Sequence, residues 1–369
     1  MDSPMLYVDA TSLSRPKLTG VGRCVARVIE ALARRQELRL FSMARYEDLR
    51  DQSMRTGLHQ GREIAVGPLN LPADTGDIQA WRDAVFSLPS TPFDHASADQ
   101  STGIYTFRRS SSRHFAHEVS LYYDLTACLV PGTHELKTRR EFTELAEQMI
   151  PLDDRLMAIS KATRDDLIWL GGVPAEKVDW CHLGPSQCIG AHAWNGAKPV
   201  RDPHVFLVVS TLEPRKNPQL LMEWFLTSPH LPDEARLVWA GPAGWLVDQG
   251  GLPRARGLRR VDFVGMVSDA ELCRLYSSAR CLIYPSLYEG FGFPVLDALL
   301  HGTPVICSGN SSMLEFAGEG VHFVDPCDPD SFDLAWQSCR ECTVPVERPD
   351  LRLSCTWDRF AARMSLLAA

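Results

Sequence analysis

In the C-terminal half of the chain, short apolar runs alternate in strict order with segments of helical period. That alternation restricts the fold more than any other feature. HVFLVVS (204–210) reads as a strand buried on both faces, and NPQLLMEWFL (217–226) as the helix that follows it. RLVWAG (236–241) and VDFVG (261–265) are the next strands, and AELCRLYSSA (270–279) the next helix. CLIYPS (281–286), PVLDALLHG (294–302) and PVICS (304–308) then repeat strand, helix, strand. VHFVD (321–325) is the last strand, with a helix over 330–341. Strand and helix in alternation require crossovers, hence a parallel, doubly wound α/β sheet.

The N-terminal half repeats the scheme with more noise. LYVDA (6–10), LRLFSM (38–43), EVSLYYDL (118–125), RLMAIS (155–160) and KVDWCHLG (177–184) read as strands. VGRCVARVIEALARR (21–35), TRREFTELAEQMI (138–150) and KATRDDLIWLG (161–171) read as helices. Residues 50 to 115 show little periodicity. PSQCIGAHAWNGAKPVRDP (185–203) is rich in Pro, Gly and Ala and reads as a linker. The expectation is an N-terminal domain over 1–184, a linker over 185–203 and a C-terminal domain over 204–355. A last helix, about 356–369, is expected to pack back on the first domain. Two doubly wound domains would place a ligand in a cleft at the carboxyl ends of their strands.

Composition narrows the function classes. With 369 residues, 45% of them hydrophobic, the chain can fill two cores. A net charge of −8 argues against a whole-protein attraction to nucleic acid. The start, MDSPMLYVDATS, has no basic segment ahead of an apolar one, so no signal peptide is expected. No apolar stretch is long enough to span a membrane. Eleven scattered cysteines then favour free thiols in a reducing cytoplasm. Cys339 and Cys342 form a single C-x-x-C, which reads as two positions on a helix rather than a zinc or redox motif.

Two motifs carry chemistry. In YEGFGFPVLDALLHGTPVIC (288–307), a glycine-rich loop follows a strand and opens a helix, with Pro294 near its first turn. Gly290 and Gly292 let backbone approach a ligand, and free N–H groups at the helix start attract phosphate. Glu289 on the loop can accept from sugar hydroxyls. Asp297, read in the first helical turn, can accept from a ribose diol. Together these are the groups a nucleotide sugar requires, although acidic helix caps would look the same. In STLEPRKNP (210–218), Arg215 and Lys216 stand together after a strand, where they can neutralise a diphosphate leaving group. A solvated basic turn before a helix capped by Asn217 is the other reading.

EGFGFPVLDALLHGTPV resembles the signature of the family-4 retaining glycosyltransferases, E-G-F-G-x-P-x-x-E-A-x-x-x-G-T-P-V. TGVGR (19–23), MAISKATRDDL (157–167), STLEPRKNPQLLMEWF, LVWAGPAGW, VDFVGMVSDAELCRLYSSA and CTWDRFAARM are similar to family segments, in family order. The resemblance covers residues 155 to 369 well and residues 5 to 36 fairly. It implies the GT-B architecture, two Rossmann-like domains facing each other across a cleft. It also implies transfer of a sugar from a nucleotide diphosphate donor with retained configuration and no metal or other cofactor. Arg215 and Lys216 would bind the diphosphate, and Glu289 the donor sugar. The backbone of Gly290, Phe291 and Gly292 would line sugar and phosphate. Asp297 would bind the ribose, and Gly265, Met266 and Val267 would lie near the base. Gly20 and Gly22 would approach the diphosphate from the first domain. The resemblance is nearest to members that use GDP-mannose, with a glycan or lipid-linked acceptor in polysaccharide biosynthesis. UDP-sugar transferases, sucrose-synthase-like enzymes and a catalytically silent binding homologue share the same motifs.

Two positions depart from the family. Asp297 stands where Glu is commoner. Tyr123-Asp124 stands where the family often has His-Asp beside the donor sugar, so Tyr123 would have to serve as a neutral donor. His134, nearby, reads as a surface or loop residue. Asp328 and Asp330 in DPCDPD could suggest a metal, which the resemblance argues against. TGVGRCVA lacks the third glycine of a dinucleotide site. Basic residues in FRRSSSRH (107–114) and at Lys137, Arg139 and Arg140 read as solvated faces, or as peripheral contact with the inner face of the cell membrane.

Overall fold

The structure is a computed structural model that describes residues 5–14, 18–42, 62–73, 77–107, 109, 112–186, 200–248, 250–342 and 344–369. The chain divides into two compact units. One comprises Met1–Asp124, Thr143–Gly184 and Cys355–Ala369, and the other Leu125–Phe142 and Pro185–Ser354. Most of the expected linker, 187–199, lies outside the described residues.

In the first unit the elements run β1 (Leu6–Asp9), α1 (Gly20–Ala33), β2 (Leu38–Phe41), β3 (Arg62–Val66), α2 (Ile78–Phe86), β4 (Ser90–Pro92), α3 (His95–Ala98), β5 (Thr102–Tyr105) and β6 (His117–Tyr122). The chain then leaves this unit for Leu125–Phe142, which holds α4 (Thr126–Leu129) and most of α5 (Leu136–Glu144), and returns to it for β7 (Arg155–Ala158), α6 (Lys161–Trp169) and β8 (Val178–Trp180). The strand order is β4-β3-β2-β1-β5-β6-β7-β8. Only the β2–β3 and β3–β4 pairings are antiparallel. The expected helix over 138–150 is α-helical only to Glu144. It continues as a π turn over Leu145–Met149 and a 3-10 turn over Ile150–Leu152.

Five strands and helices, β3, α2, β4, α3 and β5, hid in the aperiodic stretch, for physical reasons. β3 and β4 form an antiparallel edge, where one face is wet and the apolar run is short. β5, by contrast, is fully buried beside β1, but its TGIY run is broken by Gly103. A Cβ there would run into the Phe115 ring, which packs with Tyr7, Phe41 and Tyr105. Of the basic residues described in 107–114, one is not at the surface. Arg109 is buried and forms ion pairs with Glu118 and with Asp153 (2.6 Å). Arg113 pairs with Asp154 at 2.6 Å.

The last helix, α12 (Trp357–Ala368), belongs to this unit. Thr102 Oγ1 donates to the Ala368 carbonyl at 2.9 Å, and Arg363 pairs with Asp179. Where β1 ends, Asp9 is fully buried and accepts from Thr11 N (3.0 Å) and Thr11 Oγ1, while Thr106 Oγ1 donates to its carbonyl at 2.8 Å. Burial pushes its carboxyl up to about 6, against the pull of the Thr11 and Thr106 hydrogen bonds. A raised folded-state value contributes stability that is complete below the unfolded value near 4 and is lost as pH rises through 6. Asp9→Asn is therefore expected to stabilise the protein by about 1–3 kcal/mol at pH 7 and not at pH 4. Urea midpoints at the two pH values check this; equal gains at both would refute it.

The second unit holds β9 (Val205–Val209), α7 (Pro218–Thr227), β10 (Arg236–Ala240), β11 (Ala255–Arg256), β12 (Arg259–Gly265), α8 (Asp269–Ser278) and β13 (Cys281–Tyr284). α9 (Phe293–Leu300), β14 (Val305–Ser308), β15 (Val321–Val324), α10 (Pro329–Cys339) and α11 (Pro349–Ser354) complete it. Its order is β11-β12-β10-β9-β13-β14-β15, parallel apart from the β11–β12 pair. Phe206, Trp239, Phe225, Phe332 and Trp336 fill the core under α7 and α10. The α/β expectation of two doubly wound sheets holds. Among the described residues no helix is long and apolar enough to cross a membrane.

Candidate active site

In the second unit the chain reverses direction between β10 and β13 on either side of β9, so the carboxyl ends of β9 and β13 open a crevice. From β9 the chain passes into one 3-10 turn, Pro214–Lys216, closed by Asn217 in a left-handed conformation (φ 55°). Asn217 occupies the cap position of α7, but its side chain does not cap. Its amide instead donates to the Pro326 carbonyl at 2.6 Å. From β13 the chain runs through the glycine-rich loop to α9. Gly292 stands at φ 97°, and a Cβ there would run into the Met313 methyl group. Only glycine serves this turn.

These two loops bring Arg215, Lys216 and Glu289 together. Arg215 pairs with Glu289 Oε2 at 2.7 Å, and Lys216 Nζ donates to Glu289 Oε1. Lys216 Nζ also donates to the Tyr284 hydroxyl at 2.7 Å, and Arg215 donates to Glu213 Oε1 at 2.7 Å. The backbones are tied as well. Leu287 N donates to the Arg215 carbonyl (2.8 Å), and Arg215 donates to the Tyr288 carbonyl (2.9 Å). Behind them, Glu289 N donates to Ser311 Oγ at 3.1 Å, and Ser312 Oγ donates to the Glu289 and Phe291 carbonyls.

Two cations and two carboxylates, all largely buried, thus neutralise one another. Burial alone would raise the Glu289 carboxyl, but the Arg215 and Lys216 charges outweigh it and hold it at about 2. Glu213 moves the other way, because burial outweighs the same two cations. Burial and the neighbouring guanidinium pull the Lys216 ammonium below the ordinary lysine range, with Glu289 opposing. Chemically this is a pair of desolvated cations whose present anion is a side chain. A ligand phosphate could take that place with little reorganisation. Glu213 and Tyr284 were not singled out from sequence. Glu213 lies two residues before Arg215, and Tyr284 ends an apolar strand, so nothing local distinguished either.

Other expected site residues fall elsewhere. Asp297 is in the second turn of α9, not the first, and is 1% exposed. It is already engaged, accepting from Ser186 N at 3.0 Å and from the Ser186 hydroxyl. Gly290 and Phe291 are buried, and the Phe291 ring packs edge-on against Phe293 and Phe316. That leaves only backbone to face a ligand. Gly265 closes β12 at φ 69°, followed by exposed Met266 and half-buried Val267. Gly20 and Gly22 form the first turn of α1 under the Thr19 cap, and a Cβ on Gly20 would meet nothing. The Tyr123 hydroxyl is buried against the Cys24 thiol, so it does not present the donor the sequence suggested. Asp124, next to it, is half-buried.

His134 is a loop residue, as expected, between a 3-10 turn and α5, but it is buried in the second unit and not at the surface, its ring 6.3 Å from that of Trp245, whose indole donates to the Thr133 carbonyl. Asp328 caps α10 by accepting from Asp330 N at 3.0 Å, which explains that acidic turn. Among the described residues no group of three or more His, Cys, Asp or Glu is arranged to hold a metal ion. Lys137 and Arg140 are exposed, whereas Arg139 donates to the His134 carbonyl.

Residues 195–340 match the model of the family described as glycosyl transferases group 1. The chain is 26% identical to the O-antigen chain mannosyltransferase B of Escherichia coli, over 89% of this chain and 88% of that one. Among solved structures, it is similar in fold to sucrose-phosphate synthase from Thermosynechococcus elongatus (TM-score 0.61, 16% identity, 98% of each chain). It is also similar in fold to Anabaena HepE in complex with UDP and glucose (TM-score 0.54, 16% identity, 99% of this chain and 95% of that one).

Proposed function

We propose that this chain is a glycosyltransferase of the group 1 family that its residues 195–340 match, and that it transfers mannose from GDP-mannose to a glycan or lipid-linked acceptor in cell-surface polysaccharide synthesis. The choice of sugar rests on the similarity to an O-antigen mannosyltransferase along most of the chain. The chemistry rests on one observation, the desolvated Arg215–Lys216 pair at the carboxyl end of β9.

In this reading the donor diphosphate takes the place beside Arg215 and Lys216, and Glu289 turns to the sugar hydroxyls. As the bond from the anomeric carbon to the diphosphate oxygen breaks, negative charge grows on that oxygen. The two cations stabilise it in place of a metal ion. The acceptor hydroxyl attacks from the same face and gives its proton to the departing diphosphate oxygen, so configuration is retained without an enzyme nucleophile. The backbone at Gly290 and Gly292 supplies close approach. Tyr123 is left out of the donor contacts because its hydroxyl is buried. The enzyme would work at the cytoplasmic face of the membrane, where such acceptors are assembled.

The test is nucleotide release in EDTA, with GDP-mannose, UDP-glucose and UDP-N-acetylglucosamine offered singly beside a lipid extract. GDP release from GDP-mannose, unchanged by EDTA, is expected. UDP release alone would reassign the donor. Neither release nor binding of any nucleotide would leave a silent homologue.

A further inference from the structure

At the amino ends of the same parallel strands, away from Arg215 and Lys216, three thiols and an imidazole gather. Cys281 opens β13, Cys339 ends α10, and Cys342 lies past the helix in the turn that follows. The C-x-x-C is therefore not two positions on one helix. Cys342 N donates to the Cys339 carbonyl at 3.0 Å, so a single tight turn joins the two residues. Cys342 Sγ is 3.5 Å from His322 Nε2, and His322 Nδ1 is 3.0 Å from Ser338 Oγ. Nucleophile, base and orienting hydroxyl thus stand in line.

The surroundings favour negative charge. A thiolate at a helix C-terminus is ordinarily disfavoured by the helix carbonyls. Here Arg280 donates to the Cys339 and Cys342 carbonyls, both at 3.1 Å. Arg201 acts on the same three thiols and spends its other hydrogen bond on the Gly302 carbonyl. Among the described residues neither guanidinium forms an ion pair with a carboxylate, and both act on the thiols, while the Glu319 charge opposes them at Cys342. A hydrogen bond from the Cys281 thiol draws Cys339 down to about 6, against burial and with help from His322. Burial and the Cys339 charge move Cys342 the other way, so it depends on its base. Cys339 is fully buried, whereas Cys342 is partly exposed.

We propose that Cys342 and Cys339 form a peroxide-reactive dithiol site, with His322 as the base for Cys342 and Cys339 as the resolving thiolate. His322 takes the Cys342 proton. The Cys342 sulfur attacks one oxygen of hydrogen peroxide; an S–O bond forms, the O–O bond breaks, and the departing hydroxide takes the proton from His322. The Cys339 thiolate then attacks the Cys342 sulfur. An S–S bond forms, the S–O bond breaks, and the second hydroxide takes a proton from solvent. The two sulfurs lose two electrons in all, and peroxide becomes two waters.

The test uses the full chain and its own exposed thiols, Cys128 and Cys327, as internal references. Protein is treated with one equivalent of hydrogen peroxide, quenched by alkylation and mapped by mass spectrometry. Cys342 is expected to be consumed at least about tenfold faster than Cys128 or Cys327, with a Cys339–Cys342 disulfide as product. In Cys339→Ser the reaction should stop at a sulfenic acid on Cys342 that a 1,3-dione traps. In His322→Asn the rate should fall to that of the reference thiols. Oxidation of Cys342 no faster than the references, in the unaltered chain, overturns the proposal. So does a sulfenic acid that persists beside an intact Cys339, or a rate indifferent to His322.

Discussion

Lys216→Ala is expected to lower nucleotide release about 10²–10³-fold, the usual loss when one preorganised charge at a developing oxyanion is removed. The ammonium is buried and held by Glu289 and the Tyr284 hydroxyl, so it needs no reorganisation when the leaving group acquires charge. The loss should appear in kcat as well as in kcat/KM, because the charge it meets is larger in the transition state than in the bound donor. Folding should suffer less than activity, since Glu289 keeps Arg215 at 2.7 Å. Lys216→Met fills the same space without the charge and separates the two effects. Initial rates and melting temperatures of both variants decide the matter. A Met variant that retains its rate within about twofold would remove Lys216 from the chemistry.

Glu289→Gln is expected to be the most destabilising of these substitutions, by about 3–5 kcal/mol at pH 7, because it leaves two buried cations with Glu213 as the one carboxylate between them. The pH dependence follows from the depressed carboxyl, held at about 2. Its contribution is complete above the unfolded value near 4.5 and is lost as pH falls through 2. The gap between the unaltered protein and the Gln variant should therefore narrow from pH 7 to pH 3, which urea midpoints at the two pH values will show. A gap independent of pH would mean that shape, rather than charge, sets the cost. A nucleoside diphosphate should raise the melting temperature of the Gln variant more than that of the unaltered protein, since its phosphates supply the missing anion.

Much of the second unit was legible because its strands are central and parallel. Each is buried on both faces, so each appears as an uninterrupted apolar run, as in VFLVV, CLIY and VICS. Edge and interrupted strands carry no such mark. REIAV and STP pair antiparallel at a margin, and TGIY owes its place beside β1 to Gly103, which makes room for Phe115. Charge was harder to read than hydrophobicity. Arg109 sits in a basic run, yet Glu118 and Asp153 draw it inside. A charged residue can be buried only where its counter-charge waits, and that partner is set by strand order rather than by neighbours in sequence.

The order of residues by itself determined the alternation of strand and helix, hence two doubly wound sheets. It also determined that the glycine-rich loop and the Arg-Lys turn follow strands, and therefore stand where ligands bind. Only the tertiary structure decided the partners. Arg215 and Lys216 lie 74 and 73 residues from Glu289 along the chain, and they meet because β9 and β13 are neighbours in the sheet. Asp297 was legible as an acidic residue on a helix. That it faces Ser186, 111 residues away, depended on how the chain folds back over α9. Periodicity reports which face of an element is buried; it carries no information about which distant group shares that burial, and the chemistry of a desolvated charge depends on that group.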